Sequence, residues 1–254
     1  MFKQNKFSMV IVSLIAVLIG LAAGALIMFL SGSNPLLAFT GLINGTVGSA
    51  YSVGQWLSYS APIILCGFSV AFAYKAGLFN IGAEGQFIVG SFVAMLVGAY
   101  GSFPDGLHAV VAILAGMFAG MVWGFIPGAL KAFYGVNEVV VTIMLNWIAL
   151  KYTNYLIQNF YHAESIISES PTIKDTAIIK NEFFTNLFGG SNFNMGFFLM
   201  LFIVFVYWFI LNKTTFGFEI KAVGHSPFAA QYAGVKTKSR TISTMVIAGA
   251  FAGL

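Results

Sequence analysis

The side chains that could bind a polar molecule are few, and they stand within or beside apolar runs. Asn80, Glu84 and Gln86 occupy the glycine-rich segment KAGLFNIGAEGQ, and Asn146 and Trp147 are neighbours in a later run. Amide and carboxylate groups can hydrogen-bond a polar solute, and an indole can stack on a ring. Such groups inside a bilayer usually face the protein interior. We therefore predict that these five residues lie near a translocation path or a gate.

A structural role is an open alternative for the same residues. Glu84 suits the positive end of a helix that begins beside it, and Asn80 can cap that helix or tie down the turn before it. Asn146 can equally bond a neighbouring helix. Both interpretations fit the rule that irregular backbone at membrane depth must be covered by protein or by a water-filled cavity.

Catalysis has no support in this sequence. No nucleophile stands beside a base, and no glycine-rich loop ends in Gly-Lys-Ser/Thr to hold ATP phosphates. The three histidines and the single Cys66 lack metal-ligand spacing. We expect a protein that is not an enzyme and that holds no metal or cofactor itself. If ATP drives its activity, ATP and Mg²⁺ bind a separate subunit.

The composition predicts an all-α, polytopic transmembrane helical bundle. Hydrophobic residues make up 59% of the chain and charged residues 8%, whereas soluble domains carry about a quarter charged residues. A span needs roughly 20 apolar residues, and six runs qualify: 7–30, 57–74, 84–100, 107–130, 138–158 and 196–212. A seventh begins near Thr241. We expect about six complete spans plus a truncated seventh, in one domain over 1–254 that continues beyond Leu254.

The basic residues predict the orientation of this bundle. With the N-terminus inside, nine of them fall on the cytoplasmic side: Lys3, Lys6, Lys75, Lys131, Lys213, Lys221, Lys236, Lys238 and Arg240. Lys174 and Lys180 fall outside, and Lys151 lies inside a helix, from which it either snorkels outward or lines a cavity. Because cytoplasmic loops carry an excess of Lys and Arg, the N-terminus is predicted to be cytoplasmic. The same rule explains the net charge of +4 without a nucleic-acid partner.

The 107–130 run contains glycines spaced four residues apart: Gly116, Gly120, Gly124 and Gly128. At helical period they form a stripe along one side. In lipid, helices associate by close packing, and small residues let two backbones approach. The stripe predicts a tight helix contact and carries no information about a substrate.

The cytoplasmic loop 213–240 is predicted to contain a short helix. Ser226 can cap it, Pro227 fits its first turn and Gly234 can end it. A helix of two turns is unstable alone in water, so it must lie against something. The membrane surface and a groove on a cytoplasmic partner are the two alternatives.

Three segments resemble ABC-importer permeases of the branched-chain amino acid/ribose permease superfamily. AFAYKAGLFNIGAEGQFIVGS (71–91) resembles the signature stretch of that family, FGFEIKAVGHSPFAAQYAGV (216–235) its coupling segment, and NEVVVTIMLNWIA (137–149) its helix after the third cytoplasmic turn. The similarity is nearest the branch for nucleosides and simple sugars. It places Ala229, Ala230 and Gly234 at the Ala-Ala-x-x-x-Gly core of the coupling segment.

The resemblance implies several partners in a bacterial cytoplasmic membrane. They are two ABC ATPase subunits, a second permease that is homologous or identical, and an extracytoplasmic substrate-binding protein, often a lipoprotein. Membrane lipid surrounds the assembly. The residues implied to contact the ATPase are Phe228, Ala229, Ala230, Tyr232 and Gly234.

Two other classes of protein remain as alternatives. An ion-coupled secondary transporter would need ionisable residues near mid-membrane and internal repeats, and here Lys151 is the one ionisable residue away from a helix end. A membrane-embedded enzyme would need acids or histidines clustered at one depth, which the sequence does not contain. The residues also leave the substrate open between a nucleoside and a sugar, because both need amide donors and aromatic surface.

Overall fold

The computed structural model describes residues 6–163, 169–179 and 181–254, with side chains from residue 11 onward. Lys3 and Lys180, and the side chain of Lys6, therefore lie outside the described part. Within it the chain forms helices and no strand: α1 Lys6–Leu30, α2 Pro35–Val47, α3 Ala50–Lys75, α4 Ala83–Tyr100, α5 Leu107–Tyr134, α6 Glu138–Phe160, a 3-10 turn Asp175–Ala177, α7 Glu182–Leu187, α8 Gly196–Lys213, α9 Thr215–His225, α10 Pro227–Tyr232 and α11 Thr237–Gly253. The predicted all-α polytopic bundle is confirmed.

Five of the described helices are long and apolar enough to cross a membrane: α1 from Ile11, α3, α4, α5 and α8. The predicted span at 138–158 forms α6, which has 23 residues but is too polar to join these five. The expected count of six complete spans therefore remains a prediction, and the polarity of α6 needs an explanation of its own.

The start of α3 differs from the prediction. The predicted span 57–74 leaves residues 50–56 outside, yet the helix begins at Ala50. The distant 188–192 segment packs against this end: Gly54 faces Ser191, and Gln55 Oε1 accepts a hydrogen bond from the Asn192 backbone N–H at 3.2 Å. Packing and a hydrogen bond from a segment distant in the sequence thus accommodate Gly54 and Gln55 within α3.

Helix α11 lies at the centre of the described bundle. It packs against α5, α3 and α4, and also contacts α9 and α10. Its buried Met245, Ala248 and Phe251 join a core with Phe72 of α3 and Ile220 of α9. Helix α11 begins at Thr237, four residues before the position expected from the sequence. Helix α11 therefore connects the apolar core with α9 and α10.

Candidate functional site

The turn between α3 and α4 is held by a buried cluster of polar side chains. Asn80 and Gln86 are 0% and 1% exposed. Asn80 Nδ2 donates to Gln86 Oε1 and to Ser69 Oγ, both at 3.0 Å, and Ser69 Oγ donates to Gln86 Oε1 at 3.1 Å. Asn80 Oδ1 also accepts from the Gly82 N–H at 3.1 Å. These contacts match the structural interpretation of Asn80, and they make Gln86 part of the same interior cluster.

Asn146 joins α6 to this turn. Its Oδ1 accepts from the Gly85 N–H at 2.9 Å, and its Nδ2 donates to the Ile81 carbonyl oxygen at 2.9 Å. One side chain thereby satisfies a donor and an acceptor of irregular backbone, which would be costly to leave unpaired within a membrane. Both bonds are to the protein itself, as the structural alternative for Asn146 expects.

The first residue of α6 also binds the turn. Glu138 pairs with Lys131 Nζ at 2.7 Å and lies beside the backbone of Phe79 in the turn. Helices α5 and α6 are therefore tied to the α3–α4 turn at the same end of the bundle. Ser69 and Glu138 were not predicted as members of this network, since an isolated serine or a first-turn acid has many uses.

Glu84 and Trp147 are placed differently from the three amides. Glu84 is exposed in the first turn of α4. Trp147 is 60% exposed on α6, and the outward face of that helix continues along the chain through Lys151, Tyr155 and Gln158, all exposed. Among the described residues Lys151 has no hydrogen bond or ion pair. The structure does not bring Trp147 into contact with Asn80 or Gln86.

The exposed face of α6 is poorly suited to lipid. A charged side chain on a helix within the hydrocarbon region costs several kcal/mol unless it snorkels or meets water or protein. Here the lysine stands with an amide at Gln158 and aromatic side chains at Trp147 and Tyr155. Such a stripe fits a water-filled cavity, a protein neighbour or, if Lys151 snorkels, the membrane interface better than acyl chains.

The four glycines of α5 face α11 and α4. A Cβ at Gly116 would lie 2.8 Å from the Gly253 carbonyl oxygen, and one at Gly128 would lie 2.9 Å from Met245 Cβ. At Gly120 a Cβ would meet the backbone of Gly249 and Gly253 in α11. The partner glycines Gly249 and Gly253 are themselves four residues apart, a spacing that could have identified α11 as the neighbour.

Gly124 connects this contact to the polar turn. A Cβ there would meet the Met245 carbonyl oxygen and would lie 3.3 Å from Gln86 Nε2. The glycine contact between α5 and α11 therefore borders the buried cluster of Ser69, Asn80 and Gln86. The packing interface and the polar turn form one continuous region of the bundle.

The short helix α10 stands at the end of the bundle that carries most of the basic residues. Ser226 caps it by accepting from the Ala229 N–H at 3.3 Å, and Gly234 follows it with φ +86°. Ala230 is buried against the bundle, whereas Phe228 and Tyr232 are 78% and 95% exposed. The two aromatic residues are four apart, so they share one outward face.

Helix α9 fixes α10 to the rest of the bundle. Ser226 ends α9 and begins α10. Glu219 of α9 forms an ion pair with Arg240 of α11, and the Arg240 guanidinium lies 4.9 Å from the centre of the Phe216 ring. Helices α9, α10 and the start of α11 are therefore linked by charge, packing and a shared cap.

Comparison with known families identifies this arrangement. Residues 52–254, from α3 to α11, match the family described as branched-chain amino acid transport system / permease component. The chain belongs to this permease family. The matched part of the permease contains the polar turn, the α5–α11 glycine contact and α10. Family membership and the helical bundle together make it a multi-pass membrane permease, and they favour that class over the enzyme and secondary-transporter alternatives.

Several curated relatives of the permease are similar over nearly the whole chain. It is 43% identical over 98% of its length to the guanosine ABC transporter permease protein NupP of Bacillus subtilis, covering 71% of that protein. It is 39% identical over 99% of its length to the nucleoside ABC transporter permease protein NupB of Lactococcus lactis, covering 70%. A glucose ABC transporter permease protein of Haloferax volcanii is 29% identical over 94% of the chain, which covers 65% of that relative. No solved structure matches.

Proposed function

We propose that this permease is the membrane-spanning subunit of an ABC importer that carries nucleosides across the cytoplasmic membrane of a bacterium. The observation that carries the proposal is the 43% identity to a guanosine permease over 98% of the chain. Simple sugars are the second candidate, favoured by the 29% identity to a glucose permease. The difference in identity places the nucleoside first.

The energy source in this proposal is ATP hydrolysis on partner ATPase subunits, which also hold the Mg²⁺. Helix α10 is the contact to them. Phe228 and Tyr232 point away from the bundle, and large aromatic side chains exposed on a short rigid helix are well suited to fill a groove on a protein partner. This helix is narrow because Ala229 and Ala230 have small side chains, and it is short because the chain turns at Gly234. Its link through α9 to the centrally packed α11 supports a role in transmitting motion.

The route of the substrate in this proposal runs along the exposed face of α6. Trp147 offers a surface on which a base can stack, and Lys151, Tyr155 and Gln158 offer hydrogen-bonding groups on the same face. A second permease subunit, homologous or identical, would cover this face and enclose the route. Asn80 and Gln86 would act beneath it by holding α4 to α3, and Asn146 by holding α6 to the α3–α4 turn. The exposed Glu84 would stand at the inner end of the route.

The orientation in this proposal puts α10 and the basic residues around it in the cytoplasm. Lys75, Lys221 and Lys236 are exposed or half-buried at that end, as the positive-inside rule expects of a cytoplasmic surface. The described residues 161–163, 169–179 and 181–195 then face outward, where an extracytoplasmic substrate-binding protein delivers its ligand. A cysteine placed at Tyr232 and another in the outer segment at Asn186 would react with a membrane-impermeant reagent from opposite sides.

The proposed coupling is tested by Tyr232→Ala in the assembled importer. We expect the variant to fold with an unchanged melting temperature and to lose most of the ATP hydrolysis that the nucleoside-loaded binding protein stimulates, because the side chain is exposed and contacts the ATPase. Tyr59→Ala is the matched control, since Tyr59 is exposed on α3 away from α10. If ATPase assembly and stimulated hydrolysis are both intact in Tyr232→Ala, α10 is not the coupling element.

A further inference from the structure

A groove between the end of α5 and the start of α11 combines a basic mouth with an apolar floor. It has a volume of about 550 Å³, and its lining includes Phe133, Lys236, Lys238, Ser239, Ile242 and Val246. We refer to it as the α5–α11 groove. It lies beside α10, which also contacts α11.

The two lysines at its mouth are not neutralised by the protein. Two acids at this end of the bundle, Glu138 and Glu219, are paired with Lys131 and Arg240, and the third, Glu84 in the first turn of α4, does not line the groove. Neither Lys236 nor Lys238 makes an ion pair or side-chain hydrogen bond with the described residues. The Lys238 ammonium instead lies over the Phe133 ring, 5.9 Å from its centre. The mouth therefore carries an uncompensated positive charge above an apolar wall.

The apolar floor extends in the direction of the membrane. Ile242 and Val246 are half-buried on one side of α11, and Val246 lies about 13 Å along the helix axis from its first residue. The opposite wall is α5, one of the helices suited to crossing the membrane. A ligand that fills both halves must carry a negative charge at one end and a hydrocarbon chain at the other.

We propose that the α5–α11 groove binds an anionic phospholipid. The phosphate sits at Lys236 and Lys238, with the Ser239 hydroxyl beside them, and one acyl chain lies along Ile242 and Val246. Charge complementarity selects the headgroup, since basic pockets between transmembrane helices bind acidic lipid headgroups. The length of the apolar floor selects a lipid over a soluble phosphate or an acidic loop of a protein partner.

The site has a consequence for the permease that does not depend on its substrate. A lipid seated here touches both the start of α11 and the end of α5, next to α10. It would stabilise the arrangement of α10 and α11 in membranes rich in acidic lipid and leave it looser in zwitterionic ones. The inference rests on the membrane placement of the bundle and is separate from the nucleoside proposal.

The test is native mass spectrometry of the purified permease with its co-purifying subunits, titrated with phosphatidylglycerol or with phosphatidylcholine of the same acyl chains. We expect tight binding of the first lipid and weak binding of the second. The double variant K236Q/K238Q should bind phosphatidylglycerol about 25-fold more weakly, because each lysine near an acidic headgroup contributes about 1 kcal/mol, or roughly fivefold. Inorganic phosphate at millimolar concentration should not displace the lipid.

Matched controls separate a site from general attraction to a basic surface. The variant K75Q/K221Q removes two charges from another groove at the same end of the bundle, and we expect less than a twofold change. A photo-reactive residue at Val246 should cross-link to phosphatidylglycerol preferentially, whereas one at the exposed Val122 of α5 should capture lipids in proportion to their abundance. Equal binding of the two lipids, equal weakening by both double variants, or displacement by phosphate would each overturn the proposal, whatever the transport assays show.

Discussion

The substitution Gly120→Ala should separate α5 from α11. The added Cβ would meet the Gly249 carbonyl oxygen and would lie 2.8 Å from Gly253 Cα. Both neighbours are backbone atoms, which cannot rotate away as a side chain can, so the two helices must move apart along their contact. Forcing one extra carbon into a closely packed site typically costs about 1–3 kcal/mol, and we expect the upper part of that range here.

The control for this prediction is Gly67→Ala in α3, where a Cβ would have nothing within 4 Å. There alanine should stabilise the helix by about 0.5–1 kcal/mol. The two variants should thus differ by about 3–4 kcal/mol, which corresponds to roughly 6–16 °C in melting temperature for a chain of this size. Thermal unfolding in detergent, followed by loss of helical circular dichroism, measures the difference. If Gly120→Ala melts at or above the temperature of Gly67→Ala, the close packing of α5 on α11 is wrong.

Three further substitutions test other parts of the permease. Asn146→Leu leaves one backbone N–H and one backbone C=O of the α3–α4 turn unpaired and should destabilise the bundle by about 1–3 kcal/mol for each, whereas Asn154→Leu, exposed on the same helix, should leave the melting temperature unchanged. Trp147→Ala should keep the melting temperature and raise the KM for nucleoside uptake roughly twofold to tenfold, the usual value of an aromatic stacking contact; an unchanged KM would remove Trp147 from the route. Glu219→Gln should lower the free energy of unfolding by less than about 1 kcal/mol, since the ion pair of Glu219 with Arg240 is partly exposed. It should nevertheless reduce the ATP hydrolysis that the binding protein stimulates. Full stimulation in this variant would argue against α9 as the link between α10 and α11.

Much of the fold follows from the sequence because transmembrane helices are specified locally. The long apolar runs and the positions of glycine and proline predicted α4, α5 and α8 to within four residues, and the cap at Ser226 predicted α10. The start of α3 was misplaced because its polar residues are satisfied by a segment more than 130 residues away in the chain. No local pattern could reveal that pairing.

Local sequence patterns were also insufficient to assign roles to the polar residues of the candidate site. Their unusual location in an apolar chain identified Asn80, Gln86 and Asn146 as important, but the sequence left open whether they face a substrate or the protein. The structure shows all three bonded within the protein, with Ser69 as a member of the cluster that was not foreseen. The outward polar face of α6 was not predicted as a whole. Which residues share that face depends on which side of α6 packs against α4, and the sequence of α6 alone does not specify this.

Nucleoside import driven by ATP is tested in proteoliposomes that contain the permease together with the proposed ATPase and second permease subunits. Uptake of radiolabelled guanosine is measured with ATP inside the vesicles and the binding protein outside. We predict uptake that requires ATP and the binding protein and that persists when ionophores collapse the ion gradients. Uptake that proceeds without ATP and disappears with the gradients would contradict an ATP-driven importer and indicate an ion-coupled transporter instead.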